Sequence, residues 1–212
     1  MFEAFYGMEH TPFGKDIPAE RLYESRQVQD ARGRLMYAAD RKQFAVVTGD
    51  PGCGKSTLIR LIDSTIPKDR YTLLYVSDSQ MTPRWLYSGL LEQLGIKAHF
   101  YRGDAKRQLQ KALKALGEEQ KKSAICVLDE AHLLEKETLE EFRFLLNSAF
   151  DSESPLSLVL VGQTELWEKL KMQKLMRLII LKKVKMVYVL YIVSNAKKKM
   201  FVLNVRKIKL KY

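Results

Sequence analysis

Residues 49–56 read Gly-Asp-Pro-Gly-Cys-Gly-Lys-Ser, which matches the pattern G-x-x-x-x-G-K-[ST]. In such a loop, glycines let the backbone curve so that its N–H groups point inward at a chain of phosphates. Lys55 would reach the β- and γ-phosphates, and the hydroxyl of Ser56 would be a ligand of Mg²⁺. The spacing predicts a nucleoside triphosphate site formed by Gly49, Asp50, Pro51, Gly52, Cys53, Gly54, Lys55, Ser56 and Thr57.

A pair of acidic residues, Asp129 and Glu130, closes the apolar run Ile125-Cys-Val-Leu about 75 residues after the loop. An apolar strand that ends in Asp-Glu has the form of a Walker B motif. Asp129 is then predicted to hold the Mg²⁺ shell, and Glu130 to act as the general base for the attacking water. The alternative is a strand that simply ends in solvated acids, and the upstream phosphate loop makes this the weaker interpretation.

The segment Leu158-Val-Leu-Val runs into Gly162, Gln163 and Thr164. In sheets of this kind the strand lies beside the first one, and its polar C-terminal residue is near the γ-phosphate. Gln163 is the predicted catalytic sensor, with Thr164 second, against the alternative of an ordinary turn. His132 completes the sequence Asp-Glu-Ala-His, as in a helicase box. No second motor domain is present, so we expect His132 to start the next helix instead.

Four short apolar runs, typical of buried parallel strands, would position these residues. Helical patterns separate the runs, which predicts an α/β fold with a parallel sheet and helices on both faces. The predicted strands are Phe44–Thr48, Tyr71–Val76, Ala124–Leu128 and Ser157–Val161. The predicted buried helix faces are Val28, Ala31, Leu35 and Ala38; Trp85, Leu86, Leu90 and Leu94; Leu109, Leu113 and Leu116; and Leu139, Phe142, Leu145 and Leu146.

Composition limits the class of protein. The chain has 212 residues, 46% of them hydrophobic, which suits one globular domain with a small appendage. Its two cysteines, Cys53 and Cys126, are predicted to be free thiols in a reducing compartment. The sequence shows neither a signal-peptide pattern nor an apolar run of 18 residues. We therefore expect a cytoplasmic protein that does not span a membrane.

The net charge of +11 is confined to the end of the chain. Residues 1–173 carry 24 basic and 25 acidic residues, whereas residues 174–212 carry 12 basic residues and no acid. This tail admits three interpretations: a basic segment that binds nucleic acid, a membrane-surface segment, or the translation of a shifted reading frame. The bias toward Lys, Ile, Leu, Val, Tyr and Met favours the shifted frame.

The motifs together resemble the ExeA-type AAA+ ATPases. The resemblance covers residues 1 to about 173. It is carried by Met1-Phe-Glu-Ala-Phe-Tyr-Gly-Met, by His10-Thr-Pro-Phe, by the phosphate loop, by Leu-Asp-Glu-Ala-His and by Val-Gly-Gln-Thr-Glu-Leu at 161–166. It implies a P-loop NTPase of the AAA+, ASCE type, a three-layer sandwich with a mainly parallel sheet. The expected division is an N-terminal family segment (1–25), the ATPase core (26–173) and the tail (174–212).

The same family is similar to transposition helper ATPases of the MuB, TnsC and IstB kind. It implies ATP hydrolysis with Mg²⁺, self-association into rings or filaments, double-stranded DNA as a ligand and a transposase as partner. An adenine pocket near Pro12 and Phe13 is also implied. Members continue with an arginine finger, a fifth strand and a helical lid, so we expect this chain to be incomplete at its C-terminus. Arg177 lies near the expected position of the arginine finger. The segment Met186–Val193 has a composition that could let it take the place of the fifth strand.

Three functions follow from these observations. The first is an ATPase that assists DNA transposition by recruiting a transposase or selecting a target. The second is an ExeA-type ATPase for assembly of an envelope secretion system. The third is a nucleotide-binding remnant without turnover, because the finger can be worth a factor of roughly 10³–10⁵ in rate.

Overall fold

The computed structural model describes residues 2–8, 17–77, 81–146, 154–172, 187–192 and 202–203. All four predicted strands are confirmed, and helices alternate with them. The elements are α1 (Phe2–Tyr6), a 3-10 turn (Ala19–Arg21), α2 (Arg26–Asp40), β1 (Phe44–Gly49), α3 (Lys55–Thr65), β2 (Tyr71–Val76), α4 (Pro83–Gln93), α5 (Arg102–Glu118), β3 (Ser123–Leu128), α6 (Lys136–Leu146), β4 (Leu156–Gly162), α7 (Thr164–Met172), β5 (Val187–Ile192) and β6 (Val202–Leu203).

The strands form one sheet in the order β2-β3-β4-β1-β5-β6. All neighbours run parallel except β5 and β6, which are antiparallel. The register pairs Val46 of β1 with Leu160 of β4, and Val127 of β3 with Val159 of β4. Because parallel strands all end at the same edge, the segments that follow β1, β3 and β4 meet there. The prediction that the fourth strand lies beside the first is confirmed.

Alternation along the strands divides the core into two layers. Phe44 and Val46 of β1 pack on the side covered by α4, α5, α6 and α7, whereas Ala45 and Val47 pack on the side of α2 and α3. Successive strand residues point to opposite faces, so one buried strand supplies both layers. The predicted three-layer α/β architecture is therefore confirmed.

Most of the predicted helix faces are buried, but the position of Trp85 was predicted wrongly. In α4 the buried residues are Leu86, Tyr87, Leu90 and Leu91, whereas Trp85 is 60% exposed. The buried stripe of α4 contains Leu86 and Leu90, and it also includes the residue that follows each of them, Tyr87 and Leu91. Trp85 lies on the opposite border of this stripe, where Arg84 stacks over its ring at 5.6 Å.

Both cysteines are free thiols, as predicted. Cys126 is fully buried in β3, and burial raises the pKa of its thiol to about 12. No helix within the described ranges is long and apolar enough to cross a membrane.

The tail contributes backbone to the sheet. Val187–Ile192 forms β5, which pairs in parallel with β1 from Ala45↔Tyr188 to Gly49↔Ile192. The segment that was expected to replace a fifth strand by composition therefore lies next to the strand that leads into the phosphate loop. The division into segments at 25 and 173 stays a prediction.

One buried carboxylate joins the helices of the α4–α7 layer. Glu141 of α6 is 3% exposed; it accepts hydrogen bonds from Tyr87 of α4 and Arg102 of α5, and one of 3.2 Å from Lys106 of α5. Burial alone would raise the pKa of Glu141. The hydrogen bonds from Tyr87 and Lys106, together with the charges of Lys106 and Arg102, outweigh burial and lower it. Two cations of α5, Arg102 and Lys106, are thus partners of a buried acid.

Because the folded pKa of Glu141 is lowered, its contribution to stability is present above its ordinary value of 4.5 and is lost as pH falls below that value. We predict that Glu141→Gln lowers the free energy of unfolding by about 1–3 kcal/mol at pH 7. The difference from the wild type should shrink as the pH is lowered through 4. Urea unfolding at several pH values measures it, with Glu140→Gln on the same helix as a control expected to change stability by less than about 0.5 kcal/mol. A difference that is constant with pH would contradict this account.

Candidate functional site

The phosphate loop connects the last residue of β1, Gly49, to the first residue of α3, Lys55. Gly54 precedes the helix with φ +89°, and Gly52 has φ +77°, a region that glycine enters without strain. A Cβ atom at either position would meet no atom within 4 Å. The loop therefore borders open space at the N-terminus of a helix, where free N–H groups and the helix dipole favour an anion.

Lys55 is held by the loop itself. Its Nζ donates to the carbonyl oxygens of Gly49 and Asp50, both at 3.0 Å, and the residue is only 7% exposed. An ammonium group has three donors. These bonds fix the Lys55 charge inside the curve of the loop, and its predicted contact with the phosphates stays a prediction.

The two motifs meet through a single hydrogen bond. Ser56 Oγ, in the first turn of α3, donates to Asp129 Oδ2, just after β3, at 2.9 Å. The two residues are 73 positions apart in the chain. Asp129 is 5% exposed, so its oxygens are largely withdrawn from water.

Tyr75 is a member of the site that the sequence analysis did not identify. From the neighbouring strand β2, its hydroxyl donates to Asp129 Oδ2 at 2.8 Å. Burial raises the pKa of Tyr75, and so do the hydrogen bond to Asp129 and the charges of Asp129 and Glu130. The phenol therefore stays a hydrogen-bond donor throughout the ordinary pH range.

Glu130 stands in a left-handed backbone conformation, with φ +51°. Its N–H donates to Asp129 Oδ1 at 2.9 Å, which satisfies the second carboxylate oxygen of that residue. The Glu130 side chain is 43% exposed, and its Oε2 lies 3.3 Å from His132 Nδ1. The carboxylate is thus accessible to water beside the buried Asp129.

His132 also lies where the sequence analysis did not place it. We expected it to start the next helix, but α6 begins at Lys136, and residues 129–134 form turns. The turn is attached to the end of β4, because Ala131 N–H donates to the carbonyl of Val161 at 2.8 Å. Gln163 follows β4 and is half-buried, and its N–H is 3.4 Å from His132 Nδ1. His132 therefore brings Glu130 and Gln163 together.

The donor set fits a magnesium ion. Ser56 and Asp129 present oxygen atoms 2.9 Å apart, and Mg²⁺ prefers oxygen ligands. Within the described residues no group of three or more His, Cys, Asp or Glu side chains could hold a metal. In the usual Mg²⁺ site for a nucleotide, one or two protein ligands are completed by phosphate oxygens and water.

Other predicted site residues lie outside the described residues. They are Pro12 and Phe13, expected near an adenine ring, and Arg177, expected near the arginine finger.

A glycine loop between a central parallel strand and a helix, joined to an Asp-Glu pair two strands away in the sheet, defines the P-loop nucleoside triphosphatase fold. Similarity to known proteins identifies the family within this class. A family model described as an AAA domain matches residues 38–170, and the chain belongs to this family.

Similar proteins include General secretion pathway protein A of Aeromonas hydrophila, which is 30% identical over 186 residues. The match covers 84% of this chain but only 32% of the relative. Among solved structures, Cdc6p from Pyrobaculum aerophilum is similar with a TM-score of 0.59 and 18% identity, over 90% of this chain and 48% of that one. The ORC2 protein of Aeropyrum pernix, in ADPNP–ADP complexes, has a TM-score of 0.55 and 15% identity, over 87% of this chain and 50% of that one.

The left-handed conformation of Gly54 gives a prediction about stability. We predict that Gly54→Ala lowers the free energy of unfolding by roughly 1–2 kcal/mol, because in this left-handed conformation a Cβ lies too close to the carbonyl oxygen that follows it, although it would meet no atom beyond its chain neighbours. The control is Gly33→Ala in the interior of α2, an exposed position with open space around it. There alanine should raise the same free energy by about 0.8–1.0 kcal/mol. Urea unfolding measures both variants, and equal effects would show that the loop does not impose the strain.

Proposed function

We propose that this protein binds Mg·ATP at residues 49–57 and hydrolyses it to ADP and phosphate. The observation that carries the proposal is the contact between Ser56 Oγ and Asp129 Oδ2, which unites the phosphate loop with the acidic strand end. Membership of the AAA domain family supports it. The adenine nucleotides in the Aeropyrum pernix ORC2 complexes support ATP as the nucleotide.

The loop residues have distinct roles in this proposal. The backbone N–H groups between Gly49 and Thr57 bind phosphate oxygens, with Gly52 and Gly54 leaving room for them. Lys55, held at the loop by two carbonyls, places its positive charge against the β- and γ-phosphates. These interactions bind the nucleotide and orient its terminal phosphate for attack.

Ser56 and Asp129 hold the Mg²⁺ ion, which when bound neutralises charge on the phosphates. The Ser56 hydroxyl, which donates to Asp129 in this structure, would supply an oxygen ligand to the ion. Tyr75 then remains as a donor to Asp129 Oδ2 and keeps that carboxylate in place. Tyr75 is thus a positioning residue for the metal ligand Asp129.

Glu130 is the proposed general base. Its carboxylate is reachable by water, and its backbone is fixed by the hydrogen bond to Asp129. It accepts a proton from the attacking water as the bond from the water oxygen to the γ-phosphorus forms and the bond to the β,γ-bridging oxygen breaks, which releases ADP. Gln163 is the proposed sensor, because it follows β4 at the same edge of the sheet.

The assembly that this ATPase serves is a separate proposal. The similarity to General secretion pathway protein A supports a role in assembling an envelope secretion system. The role in transposition, with double-stranded DNA, a transposase and rings or filaments as partners, depends on the sequence resemblance alone. The chain spans 32% of the length of General secretion pathway protein A. Both roles are therefore proposals about the process in which this ATPase acts.

We predict that Glu130→Gln lowers the rate of ATP hydrolysis by at least about 10²-fold while ATP binding is retained, because only the base is removed. Lys55→Ala should instead abolish ATP binding, since it removes the charge that faces the phosphates. Phosphate release and equilibrium binding of a fluorescent ATP analogue measure the two effects. The control is Glu119→Gln, an exposed glutamate at the end of α5.

The same measurements decide among the alternatives. Tight ATP binding with no turnover by the wild type would contradict hydrolysis and leave the remnant interpretation. Turnover that rises when double-stranded DNA is added would favour the transposition role. Turnover that is indifferent to DNA would favour the secretion role.

Tyr75→Phe tests the metal site. We predict that this variant needs about tenfold more Mg²⁺ for half-maximal nucleotide binding, because a hydrogen bond to a charged group is worth about 1.5–3 kcal/mol. Binding of the analogue is titrated with Mg²⁺ for both proteins, and binding in EDTA should be equal. An unchanged Mg²⁺ requirement would mean that Tyr75 does not support Asp129.

A further inference from the structure

One side-chain nitrogen in the site has two partners. His132 Nδ1 lies 3.3 Å from the carboxylate oxygen Oε2 of Glu130 and 3.4 Å from the backbone nitrogen of Gln163. The first partner accepts a hydrogen bond and the second donates one. Both contacts are somewhat longer than the usual hydrogen-bond distance, so neither partner alone determines the position of the imidazole.

The two contacts exclude each other chemically. A ring nitrogen either carries a proton, and then donates, or carries a lone pair, and then accepts. With the proton on Nδ1, His132 donates to Glu130. With the proton on Nε2, Nδ1 accepts from the N–H of Gln163. The two neutral tautomers therefore correspond to two arrangements of the site, and no change of net charge is needed.

The surroundings bring His132 close to β4. A Cβ on Gly162 would lie 3.3 Å from His132 Nδ1, 3.2 Å from its backbone nitrogen and 3.0 Å from Leu166 Cδ2. A side chain at position 162 would therefore require His132 or Leu166 to shift by a few tenths of an ångström. From α7, Lys169 Nζ donates to the His132 carbonyl at 3.0 Å, and the His132 side chain is only 10% exposed. The imidazole is thus packed between the base and the strand that carries the sensor.

We propose that His132 is a positioning residue that couples Glu130 to the end of β4 by exchanging these two hydrogen bonds. This inference depends on the proposed function, because it assigns a partner to the proposed base. While Nδ1 donates to Glu130, the carboxylate is held by the imidazole. When Nδ1 gives its proton to water and Nε2 takes one up from water, Nδ1 accepts from the N–H of Gln163 instead, and the carboxylate is released to the attacking water. A movement of Gln163 at the nucleotide site would thereby change the hydrogen bonding of Glu130 through the His132 imidazole.

The tautomer is measurable without turnover. The chain has three histidines, so ¹⁵N spectra of the imidazoles are simple, and the His132 signals are those missing from His132→Asn. In spectra recorded at pH 8, we expect wild-type His132 to carry a proton on Nδ1, where the Glu130 carboxylate accepts it. In Glu130→Ala the carboxylate is gone, and the proton should move to Nε2. The same tautomer in both proteins would overturn the inference.

The kinetic test compares two amide substitutions. Asparagine places an amide atom where Nδ1 lies, whereas glutamine reaches the position of Nε2. We expect His132→Asn to keep kcat within about threefold, and His132→Gln to lower it by about tenfold or more, since the base is then poorly placed. KM for ATP should stay within about twofold for both variants, because neither substitution changes the phosphate loop.

The outcomes separate this inference from the proposed function. Equal kcat values for the two variants, both folded by thermal unfolding, would overturn the role of His132. A wild type without turnover would contradict the proposed hydrolysis, but the ¹⁵N comparison would still decide whether His132 exchanges its partners.

Discussion

The site depends on one geometric constraint, that parallel strands end at the same edge of their sheet. The phosphate loop follows β1, the acidic pair follows β3 and Gln163 follows β4, and these strands are near neighbours in the order β2-β3-β4-β1. A separation of 73 residues in the chain becomes a distance of 2.9 Å between Ser56 and Asp129. Were one strand antiparallel, its terminal residue would lie at the opposite edge, and no choice of side chains would restore the site.

Near this edge, bonds within the protein occupy the polar groups that would face a nucleotide. Lys55 is bound by loop carbonyls, Ser56 and Tyr75 by Asp129, and Glu130 contacts His132. A buried polar group without a partner is costly, so such pairing stabilises the protein when no nucleotide is bound. At these side chains a nucleotide would therefore replace existing hydrogen bonds, whereas the free N–H groups of the loop would gain partners. For Lys55 the change is small, because an ammonium can keep a carbonyl while it meets a phosphate.

The strands and the phosphate loop could be predicted from the sequence, because each depends on a short run of neighbouring residues. The parallel sheet could be predicted because strand patterns alternate with helix patterns. The contacts of Tyr75 and His132 were not predicted, for a physical reason. Tyr75 reaches Asp129 only because β2 lies beside β3, and the turn that holds His132 depends on a backbone bond to Val161 in β4. Such contacts follow from strand order and register, which one sequence does not specify. Trp85 was wrongly predicted to be buried, because the spacing of apolar residues shows the period of a buried helix face but not how wide that face is.

Strand β5 has a consequence beyond the site. It pairs with β1 along Ala45–Gly49, on the side of β1 that β4 leaves open. Without this neighbour, the strand that leads into the phosphate loop would be an edge strand. Its unpaired N–H and C=O groups would then be a template for strands of other chains. The acid-free segment therefore keeps β1 from being an edge strand, whatever the origin of its sequence, because this pairing requires only a backbone able to extend.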